Sequence, residues 1–177
     1  VCVIAGMSRE REPSLIRVDA DKATYDLHIA IRFAIEQELL DGRLAVADLP
    51  ERWNAAYREI LGVTVPDDRS GCLQDVHWSA GLFGYFPTYT LGNLAAAQWM
   101  ASARAELGDL DAAFAAGEFA PLLSWLRRHV HGHGATRTPR ELLIAGTGKP
   151  LGSQAFLEHL QARLLPAHGL DRDGGAG

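Results

Sequence analysis

Apolar side chains recur every three to four residues along most of this chain, which is the period of an α-helix. Over residues 19–41, one face of the predicted helix carries the row Leu27, Ile31, Ile35 and Leu39. Asp19 and Asp21 are suited to begin that helix because their side chains can accept from its first N–H groups. Gly42 is suited to end it, since glycine adopts the left-handed conformation of a helix terminus without strain.

Further helices are predicted along the middle of the chain. The second runs from Asp48 to Gly62, with an inner face made of Trp53, Tyr57, Ile60 and Leu61. Residues 74–80 are consistent with a short helix, and the aromatic and glycine-rich residues 81–87 form no regular element. Pro87 predicts the first turn of a long helix that ends near Leu107, because proline loses no helical hydrogen bond there.

Four later positions are typical helix starts, namely Asp109, Pro121, Thr138 and Ser153. The last predicted helix has a core row made of Phe156, Leu157, Leu160 and Leu164. No strand pattern exceeds four residues. The pattern therefore predicts an all-α bundle of about seven helices.

Composition narrows the class of protein. The chain has 177 residues, 47% apolar and 22% charged, which suits one globular domain or two small ones. A net charge of −5 without a basic run argues against a nucleic-acid partner. No apolar run is long enough to span a membrane. Two cysteines, Cys2 and Cys72, are too few for a disulfide framework and favour a reducing, cytoplasmic location.

Standard catalytic motifs are incomplete in this chain. Gly148 and Lys149 begin to match a phosphate-binding loop, but Pro150 stands where Ser or Thr is required. Ser79 has His77 two positions before it, where a nucleophile elbow requires glycine. No histidine is followed by Glu, so these 177 residues contain no zinc-binding H-E-x-x-H helix.

Three histidines, His129, His131 and His133, lie around a predicted helix end. Positions four apart could share a helical face and bind a metal ion. Gly132 and Gly134 interrupt the helix, however, and no carboxylate is close in sequence. The pattern favours a C-terminal cap, in which imidazoles bond free carbonyl groups, over a metal site.

Four segments together carry a resemblance to a known family. Three are residues 16–21 (I-R-V-D-A-D), 71–78 (G-C-L-Q-D-V-H-W) and 84–92 (G-Y-F-P-T-Y-T-L-G). The fourth joins H-G-H-G at 131–134 to E-L-L at 141–143 and T-G at 147–148. In order and spacing they resemble the C-terminal part of the carboxypeptidase Taq family of zinc metallocarboxypeptidases. The resemblance implies the C-terminal part of a larger all-α metallopeptidase fold.

The resemblance also implies boundaries and a cofactor. We expect a divergent segment at residues 1–13, a carboxypeptidase Taq-like helical domain at residues 14–166 and a disordered tail at residues 167–177. Full family members carry the H-E-x-x-H helix and a third zinc ligand earlier in their chains. Residues 1–177 contain neither segment, so the family uses zinc but this chain is expected to supply no zinc ligand and to hold no cofactor.

Two residues carry the substrate-binding role that the resemblance implies. Arg17 corresponds to an arginine that holds the terminal carboxylate of the substrate, since a guanidinium binds a carboxylate through two parallel hydrogen bonds. The alternative is that Arg17 pairs only with Asp19 or Asp75. Tyr89 corresponds to a tyrosine that donates to a developing oxyanion, and the alternative is an ordinary half-buried tyrosine. We expect Arg17 and Tyr89 to line one concavity.

Four neighbouring residues are predicted to form a hydrogen-bonded scaffold rather than reactive groups. They are Gln74, Asp75, His77 and Trp78. Asp75 is expected to orient His77, as a carboxylate orients an imidazole in many sites.

Two functional hypotheses remain open. In the first, the chain is a truncated or fragmentary, non-catalytic relative that keeps the substrate side of the cleft and acts by binding or association. In the second, it is half of an active metallocarboxypeptidase that removes C-terminal residues once a zinc-bearing chain completes it. The expected partners are a second copy in a homodimer, a peptide C-terminus or that zinc-bearing chain. The apolar surface expected to mediate self-association comprises Phe83, Tyr85, Phe86, Tyr89, Trp99 and Met100.

Overall fold

The computed structural model of the chain describes residues 13–167. The expectations for the N-terminal segment and for the tail concern residues that lie almost wholly outside this range. Among residues 13–167, each helix is too short or too polar to serve as a membrane span.

Residues 13–167 form seven α-helices and no strand, which confirms the all-α prediction. The helices are α1 (Tyr25–Leu40), α2 (Leu49–Ala56), α3 (Pro87–Leu107), α4 (Leu110–Ala115), α5 (Ala120–His129), α6 (Pro139–Thr147) and α7 (Gln154–Ala167). Short 3-10 turns lie at Arg17–Asp19, Val46–Asp48 and His131–His133, and a π-helical turn follows α2 at Tyr57–Leu61.

The described residues divide into two compact units. The N-terminal unit comprises residues 13–91 and the C-terminal unit comprises residues 92–167, so the division falls inside the sequence of α3. All six residues predicted to form a site belong to the N-terminal unit.

The core of the N-terminal unit joins α1, α2 and the segment after the π turn. Its buried members are Ile31, Ile35, Trp53, Ala56, Tyr57, Leu61, Val65 and Cys72. Two residues of this unit that were expected on inner faces are exposed instead, Leu27 and Ile60, and so is Leu157 of the core row predicted for the last helix. A row spaced by four drifts by about 40° per step around a helix, which carries Leu27 out of the core. Ile60 lies in the π turn, where the wider backbone shifts the register of side chains.

Several helix termini follow the predicted chemistry, but the predicted start of the first helix is wrong. Helix α1 begins at Tyr25 and not at Asp19 or Asp21, because a separate 3-10 turn and a further turn precede it. Gly62 takes a left-handed conformation with φ 71° and ends the π turn that follows α2. The Asp109 carboxylate accepts from two N–H groups at the start of α4. Thr138 and Glu141 form a reciprocal capping box at the start of α6. The caps at α4 and α6 satisfy N–H groups that the helix itself leaves without partners.

One predicted element is wrong. Residues 74–80 form successive turns rather than a short helix. The side chains of Gln74, Asp75 and Trp78 bond to groups far away in sequence. Local backbone bonds, such as that from the Ala80 N–H to the Val76 carbonyl oxygen, form separate turns and no continuous helix.

The C-terminal unit is built around Ala103, Leu110 and Trp125, which are buried together. Trp99 and Met100 pack against this cluster. The Gln98 side chain donates to the carbonyl oxygen of Pro150 at 3.0 Å and accepts from the N–H of Gly152 at 2.8 Å. This side chain therefore holds the connection between α6 and α7 against α3.

Candidate functional site

Arg17 lies in the 3-10 turn that precedes α1 and is almost fully buried, with 6% of its surface exposed. Its Nε and Nη2 atoms lie 3.1 Å and 2.7 Å from Oδ1 of Asp75, which is 58 positions away in sequence. Its Nη1 atom donates to the Tyr25 hydroxyl at 3.2 Å. Of the two acidic partners considered for Arg17, the structure therefore selects Asp75 and not Asp19.

A second arginine, Arg32 of α1, shares the same carboxylate. Its Nε atom lies 2.6 Å from Oδ2 of Asp75, and its Nη2 atom donates to Oε1 of Gln74 at 2.9 Å. Arg32 has no exposed surface. Two buried guanidinium groups thus face one carboxylate, and the cluster carries one more positive than negative charge.

Sequence reasoning missed Arg32, although a signal was available. Arg32 follows Ile31 and lies three positions before Ile35, both of which belong to the buried face of α1. A charged residue on such a face is rarely buried unless it has a partner. That position therefore indicates a buried ion pair, but not the identity of the partner.

Gln74 connects the segments around this cluster. Its Oε1 atom accepts from the backbone N–H of Arg17 at 3.0 Å, and its Nε2 atom donates to the carbonyl oxygens of Leu15 and Ser70. These bonds hold the Arg17 turn against the 70–75 segment. The scaffold role of Gln74 remains a prediction.

His77 lies between Asp75 and Tyr89. Its Nε2 atom is 3.1 Å from the Tyr89 hydroxyl, and its ring packs on Phe86 with 4.4 Å between the ring centroids. Its Nδ1 atom is 3.7 Å from Oδ1 of Asp75, which is an ion-pair distance and too long for a hydrogen bond. His77 is thus held by Tyr89 and Phe86, while Asp75 acts on it through charge.

Tyr89 lies in the first turn of α3 and is half-buried. The Arg17 guanidinium carbon is 5.2 Å from the centre of the Tyr89 ring, within the range of a cation–π contact. The edge of the Tyr25 ring faces Tyr89 at 6.5 Å. Arg17 and Tyr89 therefore lie side by side in the N-terminal unit.

Trp78 is held by a buried carboxylate. Its Nε1 atom donates to Oε2 of Glu36 at 3.0 Å, and the N–H of Gly84 donates to Oε1 of the same group. Glu36 is 2% exposed. Because both carboxylate oxygens accept from the 78–84 segment, Glu36 ties that segment to α1. Sequence reasoning missed this residue as well.

The charges of the site are set by burial and by the arginines. Burial alone would raise the pKa of Asp75, but its bonds to Arg17 and the charge of Arg32 outweigh this effect and hold that pKa below its usual value. Burial lowers the pKa of His28 to about 4, and the nearby Arg32 adds to the shift. At neutral pH, Asp75 is therefore ionised and His28 is neutral, which leaves the positive excess in place.

Metal binding has no support among residues 13–167, where no three His, Cys, Asp or Glu side chains are grouped to hold an ion. His129 ends α5 and packs on Trp125 with 4.4 Å between ring centroids. His131 and His133 lie in the following 3-10 turn. The described side chains do not fit the zinc ion that the resemblance implies for the family.

Comparison with known proteins gives one consistent result. A family described as "Carboxypeptidase Taq (M32) metallopeptidase" matches residues 7–164. Thermostable carboxypeptidase 1 of Thermus thermophilus is 50% identical over 158 residues, which are 89% of this chain and 31% of the relative. Carboxypeptidase 1 of Bacillus subtilis is 43% identical over 151 residues, covering 85% of this chain and 30% of the relative.

Solved structures similar to this chain include carboxypeptidases as well. The M32 carboxypeptidase from Deinococcus radiodurans R1 has a TM-score of 0.87 and 44% identity, covering 90% of this chain and 32% of that one. Trypanosoma cruzi metallocarboxypeptidase 1 has a TM-score of 0.84 and 40% identity, and the match covers 91% of this chain and 33% of that one. The chain thus spans about a third of the length of the relatives that it matches.

Proposed function

Since this chain belongs to the carboxypeptidase Taq (M32) metallopeptidase family, we propose that it forms the substrate side of a carboxypeptidase cleft and binds the terminal carboxylate of a peptide. The observation that carries this proposal is the contact between Arg17 and Tyr89, two residues far apart in sequence. A guanidinium beside a phenol offers the two kinds of donor that suit a carboxylate and an oxyanion.

The charge balance of the cluster supports the same ligand class. Asp75 is shared between Arg17 and Arg32, so these three side chains together carry one net positive charge. A buried charge is costly unless it is paired. The carboxylate of a bound peptide would supply the missing negative charge.

The chain by itself is proposed to bind without hydrolysing. The described side chains offer no fit for zinc, and no histidine of the sequence is followed by Glu. A catalytic zinc site needs three protein ligands, and its general base in this family type is the Glu of the zinc helix.

The second candidate function is half of an active enzyme. It is favoured by the coverage of only about a third of each relative, all of which are named carboxypeptidases. Under this hypothesis, a zinc-bearing chain would restore release of C-terminal residues. Assaying the purified chain with zinc, alone and mixed with the remainder of a relative, separates the two functions: activity only in the mixture supports the second.

Self-association is a further part of the proposal. Phe83 and Tyr85 are each 44% exposed, which fits an apolar contact surface. The expectation for Phe86 was wrong, because the rings of His77 and Trp78 cover it and leave 1% exposed. Trp99 and Met100 are half-buried against their own unit. Light scattering of the wild-type chain and of Phe83→Ser tests whether a homodimer depends on this surface.

Binding is tested by NMR with an acetylated tripeptide that has a free C-terminus. The proposal expects the largest shifts at the Arg17 Nε–H and at the Tyr89 ring. Shifts confined to the C-terminal unit, or no saturable binding at millimolar peptide, would refute the proposed site.

A further inference from the structure

The hydrogen bond between His77 and Tyr89 can run in two directions. The Nε2 atom and the hydroxyl oxygen are 3.1 Å apart, and each can act as donor or acceptor. If Nε2 carries a proton, it donates to the Tyr89 oxygen and leaves the phenolic O–H free to donate elsewhere. If Nε2 is unprotonated, the Tyr89 O–H donates to it and cannot donate to another group.

The surroundings of His77 decide which nitrogen holds the first proton. The Nδ1 atom is 3.7 Å from Oδ1 of Asp75, and no other described group bonds to it. A carboxylate at that distance attracts the N–H group of a protonated Nδ1 atom and repels the lone pair of an unprotonated one. Neutral His77 therefore carries its proton on Nδ1, and its Nε2 atom accepts from Tyr89.

Adding a second proton to His77 reverses this arrangement. The imidazolium has N–H groups on both nitrogens, so Nε2 becomes the donor to the Tyr89 oxygen. The Tyr89 O–H is then free to turn towards a ligand beside Arg17.

Charged and titratable groups of the described residues lie on several sides of the imidazole. Asp75 is the acidic group next to Nδ1, and the Tyr85 ring lies 5.6 Å from the imidazole on the other side. The Arg17 and Arg32 guanidinium groups lie 5.9 Å and 5.5 Å from the Phe86 ring, on which His77 packs. The arginine charges repel a positive imidazole, whereas the Asp75 carboxylate attracts it.

We infer that His77 is a positioning residue for Tyr89: its protonation turns the Tyr89 hydroxyl into a free donor for an anionic ligand such as a peptide carboxylate. The ligand class rests on the proposed function, whereas the coupling between the two side chains does not. Lower pH should therefore strengthen the binding of a carboxylate at this site.

The coupling is measured directly by NMR on the wild-type chain labelled at the imidazole nitrogens and at tyrosine Cζ. Between about pH 5 and pH 8, the range in which histidine usually changes charge, the Tyr89 Cζ resonance should move with the same midpoint as the His77 nitrogens. Tyr85 is an internal control, because its ring touches His77 but its hydroxyl is not bonded to it. A Tyr89 resonance that is constant with pH, or that titrates unchanged in His77→Asn, would overturn the inference.

Binding gives the second readout. The affinity for an acetylated tripeptide with a free C-terminus should rise by about tenfold from pH 8 to pH 5, the size expected of a hydrogen bond to a charged group. His77→Gln places a non-titrating amide near the position of Nε2, so its affinity should be constant with pH. Retained pH dependence in His77→Gln would contradict the positioning role, even if the peptide binds.

The two proposals fail in distinguishable ways. Absence of peptide binding refutes the proposed function, and the Tyr89 titration still tests the coupling without any ligand. Binding that is insensitive to His77 refutes the coupling and leaves the proposed function intact. Circular dichroism of each variant verifies that the helices are retained.

Discussion

The Arg32 guanidinium lies 2.6 Å from the Asp75 carboxylate, which also forms an ion pair with Arg17. The carboxylate therefore bridges two arginines. A simple Arg17–Asp75 pair would be neutral and would have no need of a ligand. The second arginine changes this balance, because the same negative charge now serves two cations. The positive excess is the physical basis for the proposed carboxylate site.

Replacing Asp75 with Asn should be strongly destabilising. The substitution leaves two buried guanidinium groups without a carboxylate, and breaking a buried pair in this way costs about 3–5 kcal/mol. Urea unfolding measures the loss in free energy of unfolding. The control is Asp41→Asn, since Asp41 forms an exposed pair with Arg43 and should change stability by about 1 kcal/mol or less. Equal losses of unfolding free energy for the two substitutions would contradict the role assigned to Asp75 between the two buried arginines.

Stability should fall as the pH drops from about 6.5 towards 4, because of His28. Its pKa is lowered to about 4 in the folded chain by burial and by Arg32, so the unfolded chain binds the proton more tightly. The stabilising contribution of neutral His28 is complete above the unfolded pKa and is lost as pH falls through this window. Urea unfolding at several pH values should show a shallower decline for His28→Gln than for wild type. An unchanged decline would show that His28 is not its source.

Asp75 contributes to the pH dependence of stability in a lower range of pH than His28 does. Its pKa is below its usual value in the folded chain, so its stabilisation is present above the unfolded pKa and is lost as pH falls through the folded pKa. The decline due to Asp75 therefore lies at more acidic pH than the upper part of the His28 window, and Asp75→Asn should lack it.

Glu36→Gln should loosen the 78–84 segment. An amide offers one acceptor, so its NH₂ group would face either Trp78 Nε1 or the Gly84 N–H, and a buried group without a partner costs about 1–3 kcal/mol. The expected result is lower stability with a red shift of Trp78 fluorescence. Glu38→Gln is a matched control on the same helix, because the Glu38 pair with Arg52 is partly exposed. If Glu38→Gln had the larger effect, the role assigned to Glu36 would be wrong.

Gln98→Ala should open the connection between α6 and α7. The substitution removes the acceptor for Gly152 and the donor to Pro150, so the Gly152 amide should exchange with solvent faster, by about tenfold for one lost bond. Hydrogen exchange followed by NMR measures this change. Gln154→Ala, which alters an exposed side chain, serves as the control. Unchanged protection of the Gly152 amide against hydrogen exchange would show that Gln98 does not hold this connection.

Much of the fold could be predicted from local signals. Pro87 marked the start of α3, and Thr138 with Glu141 marked the start of α6, since capping chemistry depends on a few neighbouring residues. The 74–80 segment could not be predicted in this way. Its conformation is fixed by bonds to Arg32 and Glu36 on α1, which no local pattern reveals.

The candidate site was predictable only in part. The motifs identified Arg17 and Tyr89 as a pair, and the family itself is confirmed by the match over residues 7–164. Arg32 could not be assigned as the second partner of Asp75, because the pairing depends on how α1 packs against the turn at residue 75. The positive excess of the cluster is consequently a result that required the three-dimensional arrangement.

The most direct test of carboxylate binding compares one acetylated tripeptide in two forms, with a free C-terminus and with an amidated one. Isothermal titration calorimetry on the wild-type chain should show at least about tenfold tighter binding of the free acid, the size of one charge-assisted hydrogen bond. Tyr89→Phe should weaken the free acid selectively, and Arg43→Gln, at an exposed arginine of the same unit, should leave the preference unchanged. Equal affinity of wild type for acid and amide would contradict the account.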